Sequence, residues 1–302
     1  MITVGIPQGL HYHEFGSFWQ CYFDQAGIKT LVSPPTTKGT VNDGVQAAVD
    51  ESCLPLKIYL GHVHSLLDNC SHVFVPRISH YHDNYFFCAK FAGLPDIVRN
   101  TFGLPADRLI SPNIEGYSLL KNLKECYLIS HQLGISPLKN YLAYRQAKKL
   151  HQQDEPVTPP SGDKTIAVIG HSYLLEDPFF TKDLRSVLKN HGIEPMFPGQ
   201  VPAKVLYQLA IQHHPEIYWQ LSAKLAGAAH YFAHQPDIQG ILVISSFGCG
   251  PDSLINDYLD YHVLSKSQKP YMFLNVDEHT GNAGTITRLE AFLDLIEWGN
   301  TP

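Results

Sequence analysis

Short apolar runs alternate with amphipathic stretches along the first half of the chain. The apolar runs of strand length are "ITVGIP", "TLVSP", "HVFVPRI" and "RLISPNI". Helical spacing between them predicts a helix over residues 15–26 and a longer helical region from about residue 41. Strands that alternate with helices in this way are typical of an α/β domain.

The second half repeats the same alternation. Its apolar runs are "TIAVIG", "EPMFP", "GILVISSF" and "PYMFLNV", and helices are predicted near residues 183–191, 205–210, 217–234 and 285–298. Strands that are apolar throughout indicate parallel sheets covered by helices on both faces. We therefore predict an α/β fold with two doubly wound, Rossmann/flavodoxin-like parallel-sheet domains.

The polar segment "HQQDEPVTPPSGDK" separates the two halves and contains three prolines. It is the best candidate for a linker, which predicts domains over residues 1–152 and 163–302 joined by residues 153–162. Doubly wound domains bind ligands beyond the carboxyl ends of their strands. We therefore expect the functional site in the crevice between the two domains.

Composition narrows the class of protein. The chain has 302 residues, of which 44% are hydrophobic and 17% charged, with a formal net charge of -6. This charge gives no broad basic field for nucleic acid or an anionic membrane surface. The sequence has no apolar run of the ~20 residues that span a bilayer, and its first residues, "MITVGIPQGL", lack the features of a signal peptide. We expect a cytoplasmic protein whose six cysteines are reduced.

Cysteines precede prolines at two predicted helix starts. Cys249, in "SSFGCGPDS", lies just beyond an apolar strand with Pro251 two residues later, and Cys53, in "ESCLPLKIYL", has the same spacing to Pro55. Proline favours the first position of a helix. Both sulfurs are therefore predicted at helix N-termini, where the positive end of the helix dipole favours a thiolate that can bind a metal or act as a nucleophile.

Two glycines flank the second of these cysteines. Gly248 and Gly250 let the backbone adopt φ values closed to other residues, and they let a bulky group approach the peptide. We therefore predict that both glycines contribute to binding a cofactor held by Cys249. The alternative is that Cys249 is a buried, inert cysteine in a tight turn.

Cys88, in "FFCAKFAGLPD", also follows a predicted strand, but Ala89 stands where a proline might have been. Lys90 and a helix start at Pro95 are alternative sources of positive field. The sequence has no C-x-x-C, which argues against a zinc ribbon, a thioredoxin-type redox motif or a two-cluster ferredoxin. Ligands this far apart in the sequence must converge through the fold.

Several stretches carry a resemblance to a known family. "ESCLPLKIYLGHV", "VFVPRI", "CAKFAGLPD", "IGHSYLLEDPFF", "ILVISSFGCGPDS" and "DEHTGNAGTITRLEAF", in this order, resemble the acyl-CoA dehydratase activase-related proteins. That family is similar in turn to the iron-sulfur subunits of 2-hydroxyacyl-CoA dehydratases. The resemblance covers almost the whole chain, and it departs at Ala89, where a proline is expected.

The resemblance implies an iron-sulfur protein. It implies that Cys53, Cys88 and Cys249 hold one 4Fe-4S cluster and leave one iron open. It further implies low-potential electron transfer to a small substrate, such as reductive activation of an acyl-CoA followed by loss of a hydroxyl group. A separate ATP-dependent activase would supply the electrons in anaerobic metabolism.

The resemblance leaves two alternatives. In the first, a double-cubane cluster shared across a homodimer, or with a related subunit, reduces another small molecule. In the second, the chain is a non-catalytic carrier or scaffold for an iron-sulfur cluster.

Other polar groups are weaker candidates. Three His-x-His pairs, "HYHE", "GHVH" and "HYHD", keep a mononuclear zinc or iron site as an alternative, although solvated loop histidines or substrate contacts are favoured. Glu278 and His279 follow the last predicted strand and are candidate proton-transfer groups; surface pairing beside a helix cap is equally compatible with the sequence. Cys21, Cys70 and Cys126 receive no chemical role, and Cys21 is predicted to fill the core.

Overall fold

A computed structural model describes residues 2–80, 85–115, 119–151, 164–279 and 282–299. The chain divides into two compact units, Met1–Asp154 and Glu155–Pro302. The division falls inside the predicted linker, residues 153–162. That segment lies outside the described residues, so its bounds stay a prediction, and each unit is described by itself.

Unit 1 contains parallel strands connected by helices. Its main sheet has four parallel strands in the order β2-β1-β3-β5, and a second sheet pairs β4 with β6. The strands are β1 (Thr3–Ile6), β2 (Lys29–Val32), β3 (His72–Phe74), β4 (Arg77–His80), β5 (Leu109–Ile110) and β6 (Asn113–Glu115). The helices are α1 (Tyr12–Gln25), α2 (Lys38–Ala47), α3 (Leu54–Leu66), α4 (Ala89–Ala92), α5 (Leu94–Phe102), α6 (Leu119–Leu133) and α7 (Pro137–His151).

Two prolines split the strands of unit 1 into two sheets. The runs "HVFVPRI" and "RLISPNI" each form two short strands instead of one, with Pro76 and Pro112 between them. The pairing register is the same before and after the break, Phe74 with Ile110 and Arg77 with Asn113. Pro76 therefore lies opposite Pro112. Because Pro112 has no N–H to donate, the ladder lacks one bond at this level, although Val75 and Arg77 still donate to the carbonyl oxygens of Ile110 and Pro112.

Helices α2 and α3 cross at two glycines, which explains why the predicted helical region from residue 41 is two helices. A Cβ on Gly44 would lie 1.8 Å from the Lys57 carbonyl oxygen, and one on Gly61 would lie 1.9 Å from that of Thr40. No side chain fits at either position, so the two backbones pack directly against each other. The crossing fixes the start of α3, where Cys53 lies.

Unit 2 is a four-stranded parallel sheet in the order β10-β9-β7-β8. Its strands are β7 (Thr165–Ile169), β8 (Glu194–Met196), β9 (Ile238–Ser246) and β10 (Tyr271–Val276). Its helices are α8 (Ser172–Leu175), α9 (Pro178–Asn190), α10 (Ala203–His213), α11 (Gln220–Ala233), α12 (Gly250–His262) and α13 (Asn282–Gly299).

The central strand β7 is buried along its whole length, as expected for a sheet covered on both faces. All the strand pairs described in both units are parallel, and helices flank the sheets. This confirms the predicted α/β class with doubly wound parallel sheets. Within the described ranges, no helix combines the length and the apolar character needed to cross a membrane.

Candidate functional site

Cys53 and Cys249 lie at helix N-termini, as the sequence predicted. Cys53 is the N-cap residue of α3 and Cys249 that of α12, and both have an extended backbone. Pro55 and Pro251 are the second residues of their helices, one position later than expected. Each cysteine residue is 9% exposed. Neither side chain makes a capping hydrogen bond, so what the position offers each thiol is the positive end of the helix dipole.

Cys88 has the same local geometry on a shorter helix. It is the N-cap residue of α4, with φ -62° and ψ 157°, close to the φ -64° and ψ 149° of Cys53. Helix α5 follows directly at Leu94, with Pro95 as its second residue. Cys88 is half-buried, so the residue as a whole is more exposed than the other two. Ala89 in place of a proline has not prevented the helix start.

The other three cysteines have thiols whose pKa is raised. Burial raises the pKa of Cys126, which lies on α6, to about 12. Burial also raises the pKa of Cys70, and burial together with the charge of Asp24 raises that of Cys21. Cys21 is half-exposed on α1, so its prediction as a core residue is wrong; the buried face of α1 is formed by Trp19, Tyr22 and Phe23 among others. Thiols with a raised pKa are less often ionised and bind metals less readily.

The two glycines around Cys249 have different roles. Gly248 has φ +73°, so it adopts the left-handed conformation that the sequence predicted for the turn. Gly250 is the first residue of α12 and does not have a positive φ, so the conformational reason given for it is wrong. A Cβ on Gly250 would meet nothing within 4 Å. The space beside Gly250 is open, and its predicted role in cofactor binding stays a prediction.

A buried imidazole–carboxylate pair lies next to Cys249. The Nε2 of His171 donates a hydrogen bond of 2.6 Å to Oδ1 of Asp252, and the two side chains are 4% and 2% exposed. The other carboxylate oxygen of Asp252 accepts bonds from the backbone N–H and the hydroxyl of Ser246, at 2.9 and 3.2 Å. The side chain of Cys249 also hydrogen-bonds to Asp252.

These contacts decide the charge of Asp252. Burial alone would raise the pKa of its carboxyl, but the positive charge and hydrogen bond of His171, with the bonds from Ser246 and Cys249, hold it below its ordinary value. Sequence reasoning missed both residues. The available signal was position, because His171 follows the carboxyl end of β7 and Asp252 lies in the first turn of α12 after β9.

The pair His62 and His64 does not fit the mononuclear zinc or iron alternative. His62 and His64 lie on helix α3 instead of an extended segment, so their rings do not share a face. Both ring nitrogens of His62 are within 3.0 Å of the hydroxyls of Ser33 and Thr36, and burial lowers its pKa to about 4. His64 is exposed and pairs with Asp43.

Of the other two pairs, one lies at the start of α1 and one lies partly outside the described residues. His11 is not a solvated loop residue but is buried at the start of α1. His13 lies on α1 itself. His80 ends β4, whereas His82 and Asp83 lie outside the described residues.

Two of the buried side-chain atoms in unit 1 that lack a hydrogen-bond partner among the described residues lie close together. They are Nδ1 of His11 and the hydroxyl oxygen of Tyr59. The two rings are 5.9 Å apart, and the ring of His11 is also 6.2 Å from that of Phe91 on α4. Burial lowers the pKa of His11 to about 3, so this imidazole is neutral at physiological pH. His11 therefore contacts the two helices that begin at Cys53 and Cys88.

Glu278 and His279 follow the carboxyl end of β10, as expected. The backbone N–H of His279 donates to Oδ1 of Asp277 at 2.8 Å, which forms a tight turn directly after the strand. His279 is exposed and Glu278 is half-buried. Because β10 neighbours β9, both residues lie at the same edge of the unit 2 sheet as Cys249. Their role in proton transfer stays a prediction.

The chemistry of the three N-cap cysteines fits an iron-sulfur cluster, whose usual protein ligands are thiolates. Within either unit, the described residues include no three His, Cys, Asp or Glu side chains arranged to hold a metal ion. Cys53 and Cys88 belong to unit 1 and Cys249 to unit 2. A ligand set that draws on both units, and the predicted crevice, therefore stay predictions.

Fold and site together define a class: an α/β protein of two parallel-sheet units with cysteines at the N-termini of helices. The chain belongs to the family described as the CoA enzyme activase uncharacterised domain, whose model matches residues 3–201. The match includes Cys53 and Cys88, whereas Cys249, Glu278 and His279 lie beyond it. No curated protein matches the chain.

Proposed function

We propose that the chain is an iron-sulfur protein whose cluster is bound by Cys53, Cys88 and Cys249. The observation that supports this most strongly is the shared position of the three cysteines. Each is the N-cap residue of a helix, whereas the other three cysteines have raised pKa values. Membership of a CoA enzyme activase-related family supports a function in CoA-ester metabolism.

The proposed roles of the residues follow from their positions. When bound, a cluster of this kind supplies low-potential one-electron transfer to a small substrate, with a 2-hydroxyacyl-CoA thioester as the first candidate. The three thiolates bind it, and the N-terminal ends of the longer helices α3 and α12 lower the cost of the negative charge on Cys53 and Cys249, which at Cys249 is opposed by the neighbouring carboxylate of Asp252. The open space at Gly250 lets a bulky group approach the backbone. Glu278 and His279 are the candidates that exchange protons with the substrate.

Anaerobic purification, or reconstitution with iron and sulfide, tests the cofactor. Iron and acid-labile sulfide are quantified per chain, and the reduced protein is examined by EPR. We expect iron and sulfide in equal amounts and the spectrum of a cubane cluster. One zinc per chain without labile sulfide would overturn the proposal.

The proposed electron donor is a separate ATP-dependent activase. The reduced activase of an acyl-CoA dehydratase system is mixed with the oxidised, cluster-loaded chain, with and without ATP. We expect ATP-dependent reduction of the bound cluster, seen as a change in its EPR and visible spectra. If ATP has no effect with any activase of this type, the donor is of another kind.

The same preparations separate the remaining alternatives. A double-cubane cluster shared across a homodimer predicts that removal of the cluster dissociates the dimer, which analytical ultracentrifugation detects. A carrier predicts that the cluster passes intact to an apo-ferredoxin. If the chain is the proposed enzyme, the dimer does not depend on the cluster and the cluster is not passed on. The cluster-loaded chain should instead turn over an acyl-CoA.

A further inference from the structure

The buried pair His171–Asp252 connects two neighbouring strand ends of unit 2. His171 follows β7, and Asp252 lies one turn into α12, the helix that follows β9. Because a carboxylate oxygen only accepts hydrogen bonds, Nε2 of His171 carries the hydrogen of their 2.6 Å bond. The pair therefore joins the carboxyl end of one central strand to the helix start beyond the next.

Asp252 does not make the usual contact of an acidic residue at the third position of a helix. Such a side chain normally bonds the N–H of the N-cap residue. Here the N–H of Cys249 points instead to the carbonyl oxygen of Ser246, at 3.3 Å. The carboxylate of Asp252 is engaged by Ser246, by His171 and by the side chain of Cys249.

The turn that carries Cys249 is thus held from both ends. Ser246, the last residue of β9, bonds to Asp252 through its backbone and its hydroxyl. Between Ser246 and Cys249, Gly248 has the left-handed φ that closes the turn. Phe247, in contrast, is exposed, with its N–H bonded to the Val276 carbonyl of β10. The direction of the Cys249 side chain therefore depends on where Asp252 is held.

We propose that His171 and Asp252 are positioning residues for the Cys249 thiol: His171 fixes Asp252, and Asp252 fixes the turn Ser246–Cys249 and the sulfur. A buried network of this kind, with every bond charge-assisted or backbone-anchored, holds one side-chain direction strongly. Because a carboxylate only accepts hydrogen bonds, the thiol of Cys249 is the donor to Asp252, so this bond holds the sulfur of the cofactor-free chain. A metal-bound thiolate would release this bond, while the bonds of Asp252 to His171 and Ser246 still hold the turn. That the sulfur is a metal ligand rests on the proposed function, but its positioning does not.

The test measures how often Cys249 becomes accessible in the folded, cofactor-free chain. The protein is exposed to iodoacetamide under native conditions, and alkylation is followed for each cysteine by peptide mass spectrometry. Because Cys249 is 9% exposed, its rate of alkylation reports opening of the turn. We expect His171→Leu to raise this rate by roughly tenfold or more, the effect of losing a charge-assisted hydrogen bond.

Two further variants distinguish positioning from general loss of stability. His171→Gln keeps an N–H donor and should restore most of the slow rate. His214→Leu is the matched control, because His214 is also buried in unit 2 but bonds to Tyr258 instead of Asp252. It should leave Cys249 alkylation within about twofold of wild type. A cofactor-free His171→Leu chain that folds and alkylates Cys249 at the wild-type rate would overturn the proposal.

The outcome separates this proposal from the proposed function. If His171→Leu exposes Cys249 while the wild-type chain never binds iron, the proposed positioning is supported and the proposed cluster is overturned. The opposite result is that the wild-type chain binds iron, while His171→Leu neither exposes Cys249 nor has a lower iron content. The proposed cluster is then supported and the proposed positioning is overturned. His171→Leu should otherwise lose iron, and His171→Gln should retain most of it.

Discussion

The imidazole of His213 lies flat against that of His230, with ring centroids 3.9 Å apart and planes inclined by 15°. His234 stacks on His230 as well, at 4.5 Å. Burial, together with the neighbouring His213, His234 and His214, lowers the pKa of His230 to about 4. A proton on His230 would be repelled by positive charge on the adjacent rings, so this imidazole stays neutral to a lower pH than an ordinary histidine.

This stack predicts acid sensitivity of unit 2. In the unfolded chain His230 regains its ordinary pKa of 6.5, so between about pH 6.5 and 4 the unfolded state binds the extra proton. Stability should be constant above this window and should fall within it, by clearly less than the ~1.4 kcal/mol per pH unit of a fully buried group, because His230 is partly exposed to solvent that screens its charge. His214, whose neighbours include Glu216, His213 and His262, has a lowered pKa and adds to the effect.

Denaturant unfolding at a series of pH values measures this dependence. His230→Gln should flatten the slope below pH 6.5 and leave stability at pH 7.5 less affected. His11 and His62 in unit 1 have lowered pKa values and act in the same direction, so some slope remains. An unchanged slope in His230→Gln would contradict the assignment.

The six cysteines should divide into two sets by iron content. Cys53→Ala, Cys88→Ala and Cys249→Ala should each abolish or strongly deplete the reconstituted cluster, because they remove its proposed ligands. Cys21→Ala, Cys70→Ala and Cys126→Ala should keep full iron content. The last three lose at most about 1–3 kcal/mol of stability, with the largest loss at the fully buried Cys126. Iron loss that follows this second set would mean that the ligands are different cysteines.

The glycines around Cys249 should respond differently to substitution. Gly248→Ala should cost about 1–2 kcal/mol of stability, because alanine is strained at φ +73°. Gly250→Val should change stability by less than about 1 kcal/mol, since a side chain there meets open space. If a cluster lies against this backbone, Gly250→Val nevertheless lowers the iron content. Full iron content in this variant would remove Gly250 from the cofactor site.

Glu278 and His279 can be tested once turnover is measured with an acyl-CoA. Glu278→Gln and His279→Ala should lower turnover by roughly 10²-fold, the usual contribution of a proton-transfer group. The EPR spectrum of the cluster should not change, because neither residue is a proposed ligand. Wild-type turnover in both variants would leave them as surface residues of the turn after β10.

Two fully buried tyrosines of unit 1 should respond in opposite ways to loss of the hydroxyl. The hydroxyl of Tyr59 has no hydrogen-bond partner among the described residues, so Tyr59→Phe removes a desolvated polar group and should raise the stability by about 1 kcal/mol. Tyr22 donates to Oδ1 of Asn140 at 2.7 Å, so Tyr22→Phe should lose about 1–3 kcal/mol. Urea unfolding compares the two, and a marked loss in Tyr59→Phe would show that its hydroxyl is satisfied.

The fold class and the positions of the cysteines could be predicted from local sequence, because continuous apolar strands and Cys-x-Pro spacings are short-range signals. The split at Pro76 and Pro112 could not, since it depends on which two strands pair and in what register. The contact between His171 and Asp252 could not be predicted either, because the two residues are 81 positions apart in the sequence and meet only through the fold. His62 and His64 lie on a helix, as the helical region predicted from residue 41 implies, so the condition that an H-x-H pair needs, an extended segment, is not met there.

The missing N–H of Pro112 weakens the ladder of unit 1 at one level without breaking it. Val75 donates to the carbonyl oxygen of Ile110, and Arg77 donates to that of Pro112, so hydrogen bonds connect the two sheets across the prolines. Strand β4 lies upstream of Cys88, whereas Cys53 precedes a helix that is packed against α2 without side chains between them. One candidate ligand therefore follows a strand that backbone bonds tie to the main sheet, and the other precedes a helix whose start is fixed by direct contact between two backbones.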